Sequence, residues 1–414
     1  MAFTFGSTGS NNPVAPMRQG NTALSAPAPL GNAQTYPIEF SGSGSEYFRI
    51  WIVNLLLILV TVGIYIPWAK VSKLKYFYGN TRIDGDAMDF HGQPSKMLRG
   101  TLIAAAFFGV YTMASRFSLW AGLAAALAFV IVWPVLYRAS LKFRLSNTSW
   151  RGIRMHLKPS SLAEVYWAVL PPNLLLIMPL VLVGYKGSES PLQGTSQELW
   201  NGLVGLGLIL FVVTLPYFVW RIKRFQVSHS AWGPLRMEFR SGFIDMYKVA
   251  LKTLFMALLI VALFVAAVLL LMPGLFNRSG GGTQFLLGIF SGFLVVMGLF
   301  IAFFICMNIL PRAYFSAHMQ NLVWSRTGNS HVRFKSDLST GSYMGLQLKN
   351  YGLILITAGL YWPFAMVATR RMQIEAVNLK TRIALDTLTD AARKNETDAL
   401  GDMAADMFDF DMGM

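Results

Sequence analysis

Leu141-Lys-Phe-Arg-Leu-Ser-Asn-Thr-Ser-Trp-Arg-Gly-Ile-Arg-Met-His-Leu157 decides how this chain is read. Apolar and polar residues alternate in Leu141–Leu145 and again in Ile153–Leu157, on either side of Ser-Asn-Thr-Ser-Trp-Arg-Gly, which is the pattern of a β-hairpin around a turn. Long apolar runs flank it, so the hairpin is a polar island between hydrophobic segments. The island recurs. Fourteen residues beyond Pro67, Pro134, Pro216 and Pro311 stand the hydroxyls Thr81, Thr148, Ser230 and Ser325. They are followed by Gly85, Gly152, Gly233 and Gly328, and then by Phe90, Leu157, Phe239 and Phe334. Self-similarity of this kind marks an internal repeat. It predicts four hairpins, over about residues 69–92, 138–159, 221–241 and 312–336, and Ile38-Glu-Phe40 adds a ninth strand. An isolated hairpin is marginally stable, so the four are expected to pack as one body or against helices.

Composition says what the runs between the hairpins are. Hydrophobic side chains make up 54% of the 414 residues and charged ones only 13%, against roughly 45–50% and roughly 25% in soluble domains. The chain is a membrane protein, and its single cysteine, Cys306, excludes an internal disulfide. The net charge of +15 points to anionic lipid headgroups as partner, because the basic residues cluster beside apolar segments.

A hydrocarbon core of about 30 Å needs about 20 helical residues. Six stretches qualify: 98–115, 118–137, 165–184, 200–220, 247–272 and 285–310. Two more, 47–66 and 343–362, differ in character. Asn54-Leu-Leu-Leu-Ile-Leu-Val-Thr61-Val-Gly63-Ile-Tyr65-Ile-Pro67 and Asn350-Tyr-Gly-Leu-Ile-Leu-Ile-Thr357-Ala-Gly359-Leu-Tyr361-Trp-Pro363 share Asn, Thr, Gly, Tyr and Pro in one register.

Hairpins that form one body must lie on one side of the bilayer, so the apolar excursions between them return to that side. Lys and Arg accumulate on the cytoplasmic side, and only Arg116, Lys186 and Arg278 fall in the loops that would face away from the hairpins. A full crossing by the last segment would carry Arg370, Arg371, Lys380, Arg382, Arg393 and Lys394 outside. The expectation is a mainly α membrane protein with six transmembrane helices, two re-entrant helical segments broken near Gly63 and Gly359, and a cytoplasmic hairpin subdomain. Eight full crossings is the alternative. Non-helical backbone at membrane depth is tolerated where protein buries it or a wet cavity faces it, so the spanning helices are expected to surround both turns. Residues 1–37 read as a disordered tail and 386–414 as an acidic tail, solvated or docked on a basic surface, with 38–385 as a single membrane domain.

The run Phe40-Ser-Gly-Ser-Gly-Ser-Glu-Tyr47-Phe48, with Asn54, Thr61-Val-Gly63-Ile-Tyr65-Ile-Pro67-Trp68-Ala69-Lys70 and Tyr76-Phe-Tyr-Gly-Asn80-Thr81-Arg-Ile-Asp84-Gly85, resembles the YjgN family of bacterial inner-membrane proteins. The likeness covers most of residues 38–380. It implies a multi-pass protein of the inner membrane, with both ends in the cytoplasm by the charge argument, and no established functional residues to carry across. The copy at Pro363 departs from the motif at Ala358, Leu360, Phe364 and Met366, and no Asn-Thr-x-x-x-Gly hairpin follows it.

Chemistry is sparse. Gly-x-Ser-x-Gly and Walker A motifs are absent. His91, His156, His229, His318 and His331 make no i, i+4 pair, and Asp84, Asp86 and Asp89 read as acids of a solvated turn. No enzyme activity, cofactor, metal or nucleic-acid partner is expected. Paired, interrupted hydrophobic segments are the best sequence pointer to a transporter site. The candidate intramembrane site is therefore Asn54, Thr61, Gly63, Tyr65 and Pro67 with Asn350, Thr357, Gly359, Tyr361 and Pro363, serving a conduit for a neutral or zwitterionic solute or lipid. Interhelical hydrogen bonding is the plainer account of the same residues. The alternative function is a membrane scaffold or sensor whose hairpin body binds a protein partner.

Overall fold

The computed structural model describes residues 33–171, 174–175, 197–233, 235–276 and 283–393. Its chain alternates helical pairs with short strands. β1 (Gln34–Phe40) leads into α1 (Gly44–Val60) and α2 (Ile66–Gly79), then β2 (Thr81–Ile83) and β3 (Asp86–Phe90). α3 (Pro94–Phe117) and α4 (Leu119–Ser146) precede β4 (Thr148–Trp150) and β5 (Ile153–Leu157). α5 (Leu162–Pro171) and α6 (Gln197–Ser228) precede β6 (Ser230–Trp232), β7 (Leu235–Arg236) and β8 (Glu238–Phe239). α7 (Phe243–Phe276) and α8 (Thr283–Ser325) precede β9 (Thr327–Gly328) and β10 (Val332–Ser336). α9 (Thr340–Ile356), α10 (Trp362–Glu375) and β11 (Val377–Thr381) follow, and a last helix, α11, covers 385–393.

The strands form one sheet in the order β7-β6-β5-β4-β3-β2-β1-β11-β10-β9-β8. Its two ends belong to one strand. Met237 alone separates β7 from β8, and its amide donates to the Ser230 carbonyl (3.2 Å). Leu235–Phe239 thus pairs with β6 through its first half and with β9 through its second, closing a ring of ten strands. Closure removes every exposed edge, which strands this short need. One pairing recurs at five places: Phe40 opposite Thr81, Phe90 opposite Thr148, Leu157 opposite Ser230, Phe239 opposite Thr327, and Ser336 opposite Val377. Each place is the root of one helical pair, and the two ends of the chain meet where β1 pairs with β11.

The ring is filled, not hollow. Met88, Trp150, Ile153, Trp232, Leu235, Val332 and Leu379 form a core with Ile383, Leu385, Leu388 and Ala392 of the C-terminal segment. Burying each of the two α11 leucines contributes about 2 kcal/mol. Arg151 holds this plug from outside: its guanidinium pairs with Asp84 (2.8 Å), Asp86 (2.6 Å) and Asp386 of α11 (2.8 Å). Burial disfavours the charge, but the carboxylates of Asp86 and Asp386 outweigh it and raise the Arg151 pKa above its ordinary value. Arg151 and Asp84 both sit at positive φ, next to Gly152 and Gly85 in two-residue turns between antiparallel strands. Turns with both central residues left-handed match the twist of the strands they join.

Among the described residues, five helices are long and apolar enough to cross a membrane: α3, α4, and the apolar stretches of α6, α7 and α8. The remaining expected span, 165–184, lies largely outside the described residues, and α5 covers its start.

Several expectations need correction. Leu141–Leu145 is not a strand, and the helices run on through the first ten or so residues of each expected hairpin. The residues Leu141, Phe143 and Leu145 alternate with cations, but Leu141 and Leu145 also stand one helical turn apart, a pattern that five residues cannot resolve. The strand at the amino end starts at Gln34, inside the expected tail, because Gln34–Pro37 pair with Asn378–Thr381. Residues 386–393 are helix docked in the ring, not open acidic chain. A strand, β11, does follow Pro363. The acids Asp84 and Asp86 are partners of Arg151 and not merely solvated.

Candidate functional site

The two interrupted segments are helical hairpins that leave the ring and return to it. α1 starts beside Phe40 and α2 ends beside Thr81, which face one another across β1 and β2. α9 and α10 start and end the same way at Ser336 and Val377. Ser43 begins α1 with a capping box, its hydroxyl accepting from the Glu46 amide (3.3 Å) while its own amide donates to the Glu46 carboxylate (3.4 Å). Pro67 and Pro363 sit in the first turns of α2 and α10, where the missing N–H costs nothing.

At each tip the five-residue turn satisfies its own backbone amides. The Thr61 hydroxyl donates to the Leu57 carbonyl (2.7 Å) and accepts from the Tyr65 amide (3.1 Å). The Thr357 hydroxyl does the same with Leu353 (2.7 Å) and Tyr361 (3.0 Å). The amides of Thr61, Val62, Gly63, Ile64 and Ile66 all reach carbonyls, as do those of Thr357, Ala358, Gly359, Leu360 and Trp362. Gly63 (φ +90°) and Gly359 (φ +93°) take the left-handed conformation that lets this closure happen. The shared Thr-x-Gly-x-Tyr-x-Pro is therefore a turn whose amides need no outside partner.

The expectation that spanning helices surround these turns is overturned. Val62 is 91% exposed, and Val60, Ile64, Ile356 and Leu360 are exposed with it. Pairing every amide meets the donor half of the requirement that lipid imposes on backbone, whereas none of these bonds reaches the Val62 or Ala358 carbonyl.

Asn350 behaves differently from the turn residues. It is 2% exposed, and its Nδ2 donates to the Ala365 carbonyl and the Thr369 hydroxyl (3.3 Å each). Those two acceptors fix the amide's orientation, and they leave Oδ1 buried with no hydrogen-bond partner. Asn350 lines a cleft of about 280 Å³ between α9 and α10, with Gln347, Tyr351, Ile354, Trp362, Thr369, Arg370 and Gln373. A neighbouring cleft of about 230 Å³ between α8 and α9 is lined by Asn308, Arg312 and Ser316, and shares Gln347 and Tyr351. Neither Arg370 nor Arg312 has an ion-pair partner among the described residues. Asn54 is only half-buried, in α1.

Of the expected hairpin residues, Thr81, Thr148 and Ser230 end the helices before them, each hydroxyl donating to the carbonyl four residues back: Phe77, Arg144 and Gln226 (2.8, 2.9 and 2.6 Å). In the fourth unit this role belongs to Thr327, which donates to Val323 (2.7 Å), and not to Ser325. Gly85, Gly152 and Gly233 are left-handed turn residues, whereas Gly328 is a strand residue and Asn329 makes that turn. Phe334 pairs with Leu379, and Ser336 holds the place of Phe90, Leu157 and Phe239. The fourth unit is displaced by two residues. A slip of two keeps every side chain on its face, which is why the shifted alignment still looks in phase. No group of three or more metal-ligating side chains occurs among the described residues.

Sequence reasoning missed Gln347, Tyr351, Thr369, Arg370 and Gln373. A signal was present: at the matching places α1 and α2 carry Trp51, Leu55, Lys73, Leu74 and Phe77, so four of the five polar places of the second copy are apolar in the first.

Residues 35–407 match the family described as "Bacterial protein of unknown function (DUF898)", and the chain belongs to that family. It is 23% identical over 364 residues to inner membrane protein YjgN of Salmonella typhimurium strain LT2, covering 80% of this chain and 85% of that one. Against the protein of the same name from Escherichia coli O157:H7 the identity is 27% over 129 residues, 31% of this chain and 32% of the relative. Against that of Escherichia coli K12 it is 23% over 206 residues, 46% and 51%. No solved structure matches. Membership of this family and the apolar helices make the chain a multi-pass inner-membrane protein.

Proposed function

We propose that this inner-membrane protein is a lipid conduit, taking a membrane lipid into the cleft between α9 and α10 and passing it along the exposed apolar faces of the helical pairs. The observation that carries this reading is the gradient of the cleft: Gln373, Arg370, Gln347 and Asn350 line it toward the ring, Ile354 and Trp362 toward the tip. A lipid has the same gradient. The packed interior of the ring speaks against a solute path along its axis. Exposed apolar side chains such as Leu355 (73%) beside the cleft offer acyl chains a continuous surface.

In this reading the ring and both ends of the chain lie in the cytoplasm, as the distribution of Lys and Arg favours. The two short hairpins are re-entrant. At 1.5 Å per residue the 17 residues of α1 and of α9 reach about 25 Å from the ring, less than the roughly 30 Å hydrocarbon core. The five recurring roots of the ring support descent from one duplicated unit.

The test is exchange of a fluorescent phospholipid between the leaflets of liposomes holding the purified protein. Faster exchange than in protein-free liposomes, reduced by Arg370→Gln, is the expected result. Exchange no faster than without protein overturns the reading.

A second reading keeps the scaffold function, favoured by the outer face of the ring. There Arg82, Arg154, Arg236, Arg333, Lys335 and Lys380 are exposed, against the acids Glu39, Asp89 and Glu238. Such a face suits anionic headgroups or an acidic partner protein. Crosslinking from Arg154→Cys separates them: a reproducible protein adduct supports the partner, and lipid adducts alone count against it.

A further inference from the structure

We infer that the lipid this cleft recognises is a lysophospholipid, a single-chain phospholipid with a free hydroxyl on its glycerol. The inference rests on the lipid reading above and narrows it. Three placements carry it. Asn350 Oδ1 is buried without a partner, and because Nδ2 is already committed to Ala365 and Thr369, what is missing is a hydrogen-bond donor. The second placement is the cation. The Arg370 guanidinium has no acid partner among the described residues and leans toward Gln373 (3.4 Å), away from the tip and toward the ring. The third is the apolar end, where Ile354 and Trp362 line the cleft beyond Asn350.

These placements impose an order along the membrane normal: a cation outermost, then an acceptor that needs a donor, then an apolar wall. A lipid phosphate suits the cation, since a guanidinium binds its oxygens in pairs. The group that meets Oδ1 must then lie on the hydrocarbon side of the phosphate. Headgroup amines lie on the water side and are excluded by that order. The glycerol of a diacyl phospholipid carries esters, which only accept, and would leave Oδ1 unpaired at the cost of a buried polar atom. A glycerol with one chain removed presents a hydroxyl at that level. The cleft volume of about 280 Å³ also suits one chain better than two.

The probe is lysophosphatidylcholine, whose head carries no N–H, compared with its 2-O-methyl ether, in which the glycerol hydroxyl is blocked. Binding to the full-length protein is measured in nanodiscs of diacyl phosphatidylcholine. Wild type is expected to hold lysophosphatidylcholine about tenfold tighter than the ether, the factor that one hydrogen bond to a buried acceptor supplies. Asn350→Leu should erase that ratio, and Arg370→Gln should weaken both ligands alike. Equal binding of the two probes by wild type overturns the inference and needs no variant to fold. So does competition by chainless glycerophosphocholine as strong as by the lipid, which would make the site one for a soluble phosphodiester. If diacyl lipid is exchanged in liposomes while lysophosphatidylcholine and its ether bind equally, only this inference falls. If neither probe binds and no lipid is exchanged, the lipid reading falls with it.

Discussion

The hairpins α1–α2 and α9–α10 have the same turn and opposite flanks. Their tips agree to the atom: Thr61 and Thr357 bond the same two backbone groups, and Gly63 and Gly359 adopt φ within a few degrees of each other. Their bodies do not agree. Where α9–α10 has Gln347, Tyr351, Thr369, Arg370 and Gln373 around a cleft, α1–α2 has Trp51, Leu55, Lys73, Leu74 and Phe77. Tyr47 packs on Phe77 (5.0 Å between rings), and Trp51, Phe77 and Val367 of α10 join one apolar cluster with it. The first hairpin is thereby a buttress for the second: the Phe48 ring lies tilted against that of Phe364 (5.6 Å between centroids), and Arg371 donates to the Gly42 carbonyl (2.7 Å). A turn that pairs its own amides depends little on its neighbours, so the same motif can end a hairpin packed on its flank and one that borders a cleft.

The largest effect that can break this comparison is at the tips. Thr61→Val and Thr357→Val each strip an acceptor from one amide in an apolar setting. Each is expected to lower stability by about 2 kcal/mol, read by thermal unfolding in detergent; sensitivity at one tip alone would show that the two turns are not equivalent. Gly63→Ala and Gly359→Ala come next, at about 1–2 kcal/mol each for the left-handed backbone. A Cβ at Gly359 meets nothing within 4 Å, so that variant reads the backbone cost alone. Below that, Thr369→Val should cost about 1 kcal/mol through its bond to Asn350, whereas Asn54→Leu in the half-buried counterpart should change stability by under about 0.5 kcal/mol. A larger loss from Asn54→Leu would mean that the first hairpin has a polar contact of its own. The smallest effect sharpens the comparison: Lys73→Thr supplies, at the place matching Thr369, the hydroxyl that Asn54 lacks, and a gain of a few tenths of a kcal/mol is expected in the same unfolding measurement.

Much of the ring was legible in the residues. Alternation at Ile153–Leu157 and the hydroxyl and glycine registers located three of the strand pairs, because a helix ending in a capped turn and a strand of period two leave local marks. β11 left a weaker one. Val377-Asn-Leu-Lys-Thr381 alternates and begins fourteen residues after Pro363, but it lacks the hydroxyl and the turn glycine. It needs no turn, since its partner β1 lies at the other end of the chain. In the site, Asn350 was legible as a polar residue in an apolar run. Arg370 was not, since a cation near the ring reads from sequence as a topology signal.

The amino-acid sequence by itself determined that the chain enters the membrane many times, that short strands joined by glycine turns lie between its apolar runs, and that two segments turn back through Thr-x-Gly. Those properties are local: hydropathy, strand period and turn chemistry are written within a few residues of where they act. Only the tertiary structure decided that the strands close into a ring, that 385–393 plug it, and that Asn350 lines the same cleft as Arg370. Each of these depends on pairs far apart in the chain, β1 with β11 or Arg151 with Asp386, and the free energy of such a contact exists only once both partners have been brought together.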